Sequence, residues 1–127
     1  MIVYGDAAAA LIERKIGYPL CPPWVAFGWQ SGSKVVAAIG LTCWDGDDIR
    51  VTVASEKGRM NRSLFSAAGR YVFDQIKCVR ATIITESAAV ADFAQRLGAE
   101  PEGMSRNQFG IGRDGYRLAF HRDGWRY

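Results

Sequence analysis

The fold is decided by residues Ile49 to Arg106, which read IRVTVASEKGRMNRSLFSAAGRYVFDQIKCVRATIITESAAVADFAQRLGAEPEGMSR. The letters IRVTVAS have the alternation of a strand, the apolar residues from Phe65 to Ile76 recur at helical spacing, and CVRATIIT is again strand-like. A second helical pattern ends at Gly98. Between the first strand and first helix lies the polar turn EKGRMNR. The start of a helix offers unpaired N–H groups and a positive dipole, so this turn is a candidate phosphate-binding site.

The rest of the chain predicts a sheet around this unit. A helix capped by Asp6 is expected over Ala7 to Lys15, and a proline-rich loop, Tyr18 to Pro23, follows it. Two strands, VAFGWQ and KVVAAIGLTCW, should form an antiparallel meander with IRVTVAS. The last strand is YRLAFHR, and SRNQFGIGRDG before it is expected to hold a weak strand and a hairpin loop.

The predicted fold class is therefore α/β. The sheet should be mixed and mostly antiparallel, with helices on both faces and one domain spanning residues 1–127. Because a helix separates Ile49–Ser55 from Cys78–Thr85, these two strands should be parallel neighbours joined by a right-handed crossover.

Composition argues against a membrane protein, a secreted protein and a zinc or disulfide protein. The longest apolar stretches are strand-sized, far below the roughly 20 residues that cross a bilayer, and the charges of the first 15 residues come in the wrong order for a secretory signal. The three cysteines, Cys21, Cys43 and Cys78, lack CxxC spacing, which argues against a disulfide framework or a zinc site. A net charge of +3 is mild and does not by itself indicate nucleic-acid binding. We expect a cytoplasmic protein that binds no membrane and no metal.

The residues from Arg62 to Gly103 resemble the core of the GCN5-related N-acetyltransferase (GNAT) superfamily. They read like its central helix, the next strand, and a helix that ends in Leu-Gly before Glu-Gly. The helix end Tyr71-x-Phe-x-Gln-Ile-x-Cys78 is similar to that of small bacteriophage-type members. The resemblance implies two parallel strands splayed around acetyl-CoA, and direct transfer of an acyl group to an amine.

The resemblance also implies which residues hold the CoA thioester. The backbone of Val53 and Ala54 would hydrogen-bond the pantetheine arm as an added strand would. The pyrophosphate would lie at the turn and helix start, held by Arg59, Met60, Asn61, Arg62 and Ser63. Arg59 and Asn61 stand where the family has glycines, so either the amides stay accessible beside these side chains or the charges of Arg59 and Arg62 bind the phosphates instead.

Catalytic candidates are fewer. The family's usual acid, a tyrosine, falls on Ala94 in this chain. Thr52, in the middle of its strand, and Glu86, at the end of the next one, are candidates near the thioester. Tyr116 is a candidate proton donor for the departing thiolate. Each has a structural alternative, since Glu86 can serve the helix N-terminus and Tyr116 can be an ordinary strand aromatic.

Several questions stay open at the level of sequence. The acceptor amine could belong to a small molecule, a protein or a nucleobase, and a homodimer is an alternative to a monomer. A different class of function is a catalytically weak binding module of the same fold, phage-encoded and acting on a host protein or nucleic acid. The only histidine, His121, cannot form a metal site or a triad alone. The four tryptophans are typical of core packing as well as of an acceptor pocket.

Overall fold

The computed structural model describes residues 1–127. Seven strands form one sheet, with three α-helices against it. The strands are β1 (Ile2–Tyr4), β2 (Val25–Ser31), β3 (Lys34–Thr42), β4 (Arg50–Ser55), β5 (Arg80–Thr85), β6 (Glu100–Ser105) and β7 (Gly115–His121). The helices are α1 (Asp6–Ile16), α2 (Arg62–Gly69) and α3 (Ala88–Arg96). A π-helical segment, Arg70–Gln75, continues α2, and a short 3-10 turn, Arg122–Gly124, follows β7.

The strands lie in the order β1-β2-β3-β4-β5-β7-β6. Every neighbouring pair is antiparallel except β4 and β5, which are parallel. These two strands pair only at Arg50 with Thr82 and at Val51 with Ile83, and they separate after that point. The prediction of a mixed, mostly antiparallel sheet with one splayed parallel pair is confirmed.

The two faces of the sheet are covered unequally. On one face α2 and α3 pack over a core of 20 buried residues that includes Leu64, Ile83 and Leu118. On the other face α1 packs against β2, β3 and β4, with a smaller cluster around Leu11 and Ile12. The prediction of helices on both faces is confirmed. No helix is both long and apolar enough to cross a membrane.

Three local predictions are wrong. Strand β1 has no counterpart in the sequence-based prediction, because its three residues are too few for a periodic signal and it exists by pairing with β2. Asp6 is the first helical residue and caps nothing, because Gly5 takes the N-cap position without a side-chain hydrogen bond. Strand β6 lies at Glu100–Ser105 and not within SRNQFGIGRDG, since pairing with β7 makes a strand of exposed residues with poor strand propensity.

The long central helix changes character at Gly69. Its predicted span to Ile76 is α-helical up to Gly69, and the Ile76 N–H then donates to the Tyr71 carbonyl, five residues back, at 2.9 Å. Trp125 packs against Gly69 so closely that an added Cβ there would lie 2.3 Å from the indole Nε1. The C-terminal segment is thereby held against the same helix whose start borders the candidate site.

Candidate functional site

The separation of β4 and β5 opens a cleft of about 730 Å³ at the carboxyl ends of the two strands. Its lining comes from α1 and the residues after it, from both strands, from the start of α3, and from the loop before β7. The lining residues used below are Lys15, Tyr18, Arg50, Thr52, Val53, Glu86, Phe109 and Arg113.

Unpaired backbone groups line the gap. The Glu56 N–H donates to the Val36 carbonyl at 2.8 Å, which makes these residues a hydrogen-bonded pair in register with β3 and β4. Because such pairs alternate along an antiparallel ladder, Ala54 also bonds to β3, whereas the N–H and C=O of Val53 point toward β5. β5 has already diverged at this level, so Val53 presents a free donor and a free acceptor to the cleft.

The start of α2 supplies a second set of free donors. The Asn61 side chain caps the helix by accepting from the Leu64 N–H at 3.0 Å. No hydrogen bond within the chain uses the N–H groups of residues 60 to 63. The first turn of α2 holds no acidic residue. The guanidinium of Arg62, the first residue of α2, lies 5.5 Å from the centre of the Tyr127 ring. The predicted pyrophosphate residues thus surround unpaired amides, although none of them lines the cleft itself.

A carboxylate stands at the end of β5. Glu86 accepts two hydrogen bonds from Arg113, at 2.9 Å from Nε and 2.6 Å from Nη2, so the pair has fork geometry. These bonds lower the pKa of the Glu86 carboxyl. The next residue, Ser87, caps α3 by accepting from the Val90 N–H at 3.2 Å. Glu86 therefore stays ionised and ties the loop that carries Arg113 to the cleft.

Comparison with known proteins identifies the fold. No family model matches the sequence, and no curated protein matches it. Solved structures do match. A spermidine/spermine N-acetyltransferase, SpeG from Vibrio cholerae, superposes with a TM-score of 0.72 at 11% identity over 97% of this chain and 92% of that one. The chain has the GNAT fold.

Two further structures with this fold are named as acetyltransferases, with no substrate given. One, from T. thermophilus, has a TM-score of 0.69 at 17% identity and covers 83% of this chain. The other, from Staphylococcus epidermidis, has a TM-score of 0.66 at 17% identity over 77% of this chain and 67% of that one. The present chain spans only 62% of the T. thermophilus protein. None of these structures supports the phage-type assignment.

Within the GNAT fold, the predicted site residues divide between the cleft and its surroundings. Thr52, Val53 and Glu86 line the cleft. Ala54 adjoins it in β4 but is buried in the small cluster beneath α1. Tyr116 lies outside the lining, in β7, paired with Thr85 and 37% exposed.

The structure also places residues in the cleft that sequence reasoning did not single out. Tyr18 is one; it follows Gly17, whose left-handed conformation at φ 85° ends α1. Phe109 is another, and it packs beside Gly115, where an added Cβ would lie 2.9 Å from the ring. The glycine stop after α1 was visible in the sequence, but the direction of the following side chain was not.

Arg50 is the third cleft residue missed from the sequence. It begins β4 and pairs with Thr82, one residue before the last pair of the two strands, Val51 with Ile83. The Nε atoms of Arg50 and Arg80 are both buried without a hydrogen-bond partner. Arg50 differs in that it forms no ion pair, whereas Lys15, Arg80 and Arg113 each form one. No group of three or more metal-ligating side chains is present.

Proposed function

We propose that this chain is an acyl-CoA-dependent N-acyltransferase that uses acetyl-CoA and transfers the acyl group to an amine. The observation that carries the proposal is the free backbone of Val53 in the gap between two splayed parallel strands. A strand-like ligand placed there would continue the ladder of β4 by main-chain hydrogen bonds.

The residues present suit a CoA thioester. Val53 would donate to and accept from the amides of the pantetheine arm, and Ala54, whose own groups bond to β3, would support that strand. The free amides of residues 60 to 63, together with Arg59 and Arg62, would hold the pyrophosphate, since helix starts favour anions. The Leu64 N–H already donates to the Asn61 side chain, so the N–H groups available to the phosphates are those before Leu64.

Acetyl-CoA supplies an activated acyl group on a thiolate leaving group. The chain must accept a proton from the ammonium, stabilise charge at the carbonyl oxygen and protonate the leaving thiolate. Thr52 and Glu86 line the cleft and are the proposed groups near the amine. Tyr116 stays a candidate proton donor, but Tyr18 lines the cleft and Tyr116 does not, so Tyr18 is the donor we favour.

The geometry of the cleft does not by itself identify the acceptor amine. The Vibrio cholerae protein is named for spermidine and spermine, but an 11% identical neighbour does not transfer its acceptor to this chain. The acceptor amine, a cytoplasmic location, a homodimer and a phage origin stay predictions. The alternative function, a binding module with little activity, predicts CoA-independent binding of a partner and no acyl transfer.

Calorimetric titration with acetyl-CoA and with CoA tests the proposal, followed by an assay of free thiol release in the presence of amines. We expect saturable binding of both ligands, weakened by salt because the pyrophosphate contacts are ionic. Arg122→Ala, at the 3-10 turn after β7, is a control that should bind normally. Absence of binding by a folded protein would overturn the proposal, and binding without thiol release for any amine would favour the binding module.

A further inference from the structure

The cleft contains one cation that the protein leaves without a counter-ion. Of the four charged residues that line it, three are cations and one is a carboxylate; they are Lys15, Arg50, Arg113 and Glu86. Lys15 bonds to Glu56 at 3.2 Å, and Arg113 is held by Glu86. Arg50 alone makes no ion pair and no hydrogen bond through its buried Nε.

The nearest acid in sequence is already engaged. Both oxygens of the Asp48 carboxylate accept from the Thr82 hydroxyl, at 2.8 Å and 2.9 Å, and Asp48 also lies 3.6 Å from the Arg80 Nε. Arg80 is further paired with Glu102. This network gives Arg80 its counter-ions, and Asp48 makes no ion pair with Arg50. A partly desolvated guanidinium without a partner is costly, so an anionic group of a ligand bound in the cleft would stabilise it.

The position of Arg50 separates this anion from the pyrophosphate. Side chains of β4 alternate between faces, so Arg50 and Thr52 lie on the face of Ala54, which packs beneath α1. Val51 faces the opposite core, beneath α2. The predicted pyrophosphate residues are at the start of α2, on that opposite face. Arg50 is therefore on the side of the cleft that the proposed cofactor would leave to the acceptor.

We propose that the acceptor is an amine that also carries an anionic group, a carboxylate or a phosphate, and that Arg50 binds this group. The inference rests on the proposed acyltransferase function. The amine nitrogen attacks the thioester carbonyl, the C–N bond forms, and the C–S bond breaks. The ammonium proton is lost to solvent or a cleft base, and the thiolate leaves as the protonated thiol. Arg50 takes no proton; it orients the acceptor through a charge-assisted hydrogen bond.

A panel of matched amines tests the inference. β-Alanine is compared with β-alaninamide, and 2-aminoethyl phosphate with ethanolamine, so that each pair differs in the anion; spermidine represents a purely cationic acceptor. We expect kcat/KM for at least one anionic member to exceed that of its neutral partner by roughly 10–100-fold, the range of a charge-assisted hydrogen bond. The member that is preferred distinguishes a carboxylate from a phosphate acceptor.

Two variants assign the preference to Arg50. Arg50→Met removes the charge and keeps the apolar stem, so it should abolish the preference while neutral amines and CoA affinity change little. Arg14→Met is the matched control; Arg14 is an exposed cation that pairs with Glu56 outside the cleft, and the preference should persist. Calorimetric titration with the preferred anionic amine gives a readout independent of turnover. Its affinity should fall by the same factor in Arg50→Met.

The outcomes separate this inference from the function on which it rests. If kcat/KM for thiol release is equal within each pair of amines, or is highest with spermidine, the inference is overturned and the proposed acyltransferase function stands. If Arg50→Met lowers kcat/KM equally for every amine and also weakens CoA binding, the inference is overturned, because Arg50 would then stabilise the fold or bind the cofactor. Absence of thiol release with every amine overturns both.

Discussion

The cleft is flanked by two junctions between a strand and a helix, and they carry opposite charge. β4 leads into α2 through the turn Glu56–Asn61, where cations cluster, the first helical turn has no acid and the backbone donors are free. β5 leads into α3 through Glu86 and Ser87 alone, and the carboxylate at that junction is bound to Arg113. The first junction suits an external anion, whereas the second already contains its own. The difference teaches that two similar helix starts in one fold need not perform the same task.

The largest expected effect concerns protonation of the leaving thiolate, which we assign to a tyrosine and not to the α2 junction. Tyr18→Phe should lower kcat by about 10²–10⁴, the usual contribution of a positioned acid, with CoA affinity unchanged. Tyr116→Phe removes the same hydroxyl outside the cleft and should retain most activity. Steady-state kinetics measures the difference in kcat between the two variants. The reverse result would restore Tyr116 as the donor and move the chemistry toward β7.

The second expected effect concerns the α2 junction itself. Arg59→Ala and Arg62→Ala should each weaken CoA binding by roughly 1–3 kcal/mol, because each removes a charge-assisted hydrogen bond to phosphate. Glu86→Gln, at the other junction, should leave CoA affinity unchanged. Calorimetry at two salt concentrations measures both quantities, and the salt dependence should shrink in the arginine variants. Equal losses at both junctions would break the comparison.

The smallest expected effect is a shift in the titration of Glu86. Arg113 lowers the pKa of this carboxyl below its ordinary value of 4.5, so Arg113→Gln should raise it. Because the pKa of Glu86 is lower in the folded chain than in the unfolded chain, the ion pair stabilises the fold fully above the ordinary pKa of 4.5. This stabilisation is lost as the pH falls through the lowered pKa. NMR titration of the Glu86 side-chain carboxyl measures the change. An unshifted pKa in the variant would mean that the pair does not persist in solution.

The parts of the fold that were predictable are those with strong local periodicity. β4, α2, β5 and α3 have clean strand or helix patterns, and their order restricts the connection to a right-handed crossover. β6 could not be found in this way. Its residues EPEGMS include proline and glycine and are mostly exposed, so only the pairing with β7 makes them a strand.

The site was predictable only where strand position decides it. Thr52 and Val53 lie in the middle of β4 and Glu86 lies directly after β5, and periodicity locates both strands. The lack of an ion pair at Arg50 was not accessible, because the acid nearest to it in sequence, Asp48, accepts a hydrogen bond from Thr82, 34 residues further along the chain. Pairing between side chains that are distant in sequence has no local signal.

The free main-chain groups of Val53 and of residues 60 to 63 have a consequence for sequence drift. Every non-proline residue offers the same N–H and C=O, so a ligand site made of these groups constrains the path of the backbone and accepts many residue types along it. Substitutions can then accumulate at such positions while the hydrogen-bonding geometry persists. Superposition on proteins of 11% to 17% identity agrees with this, since the backbone path is shared while most side chains differ.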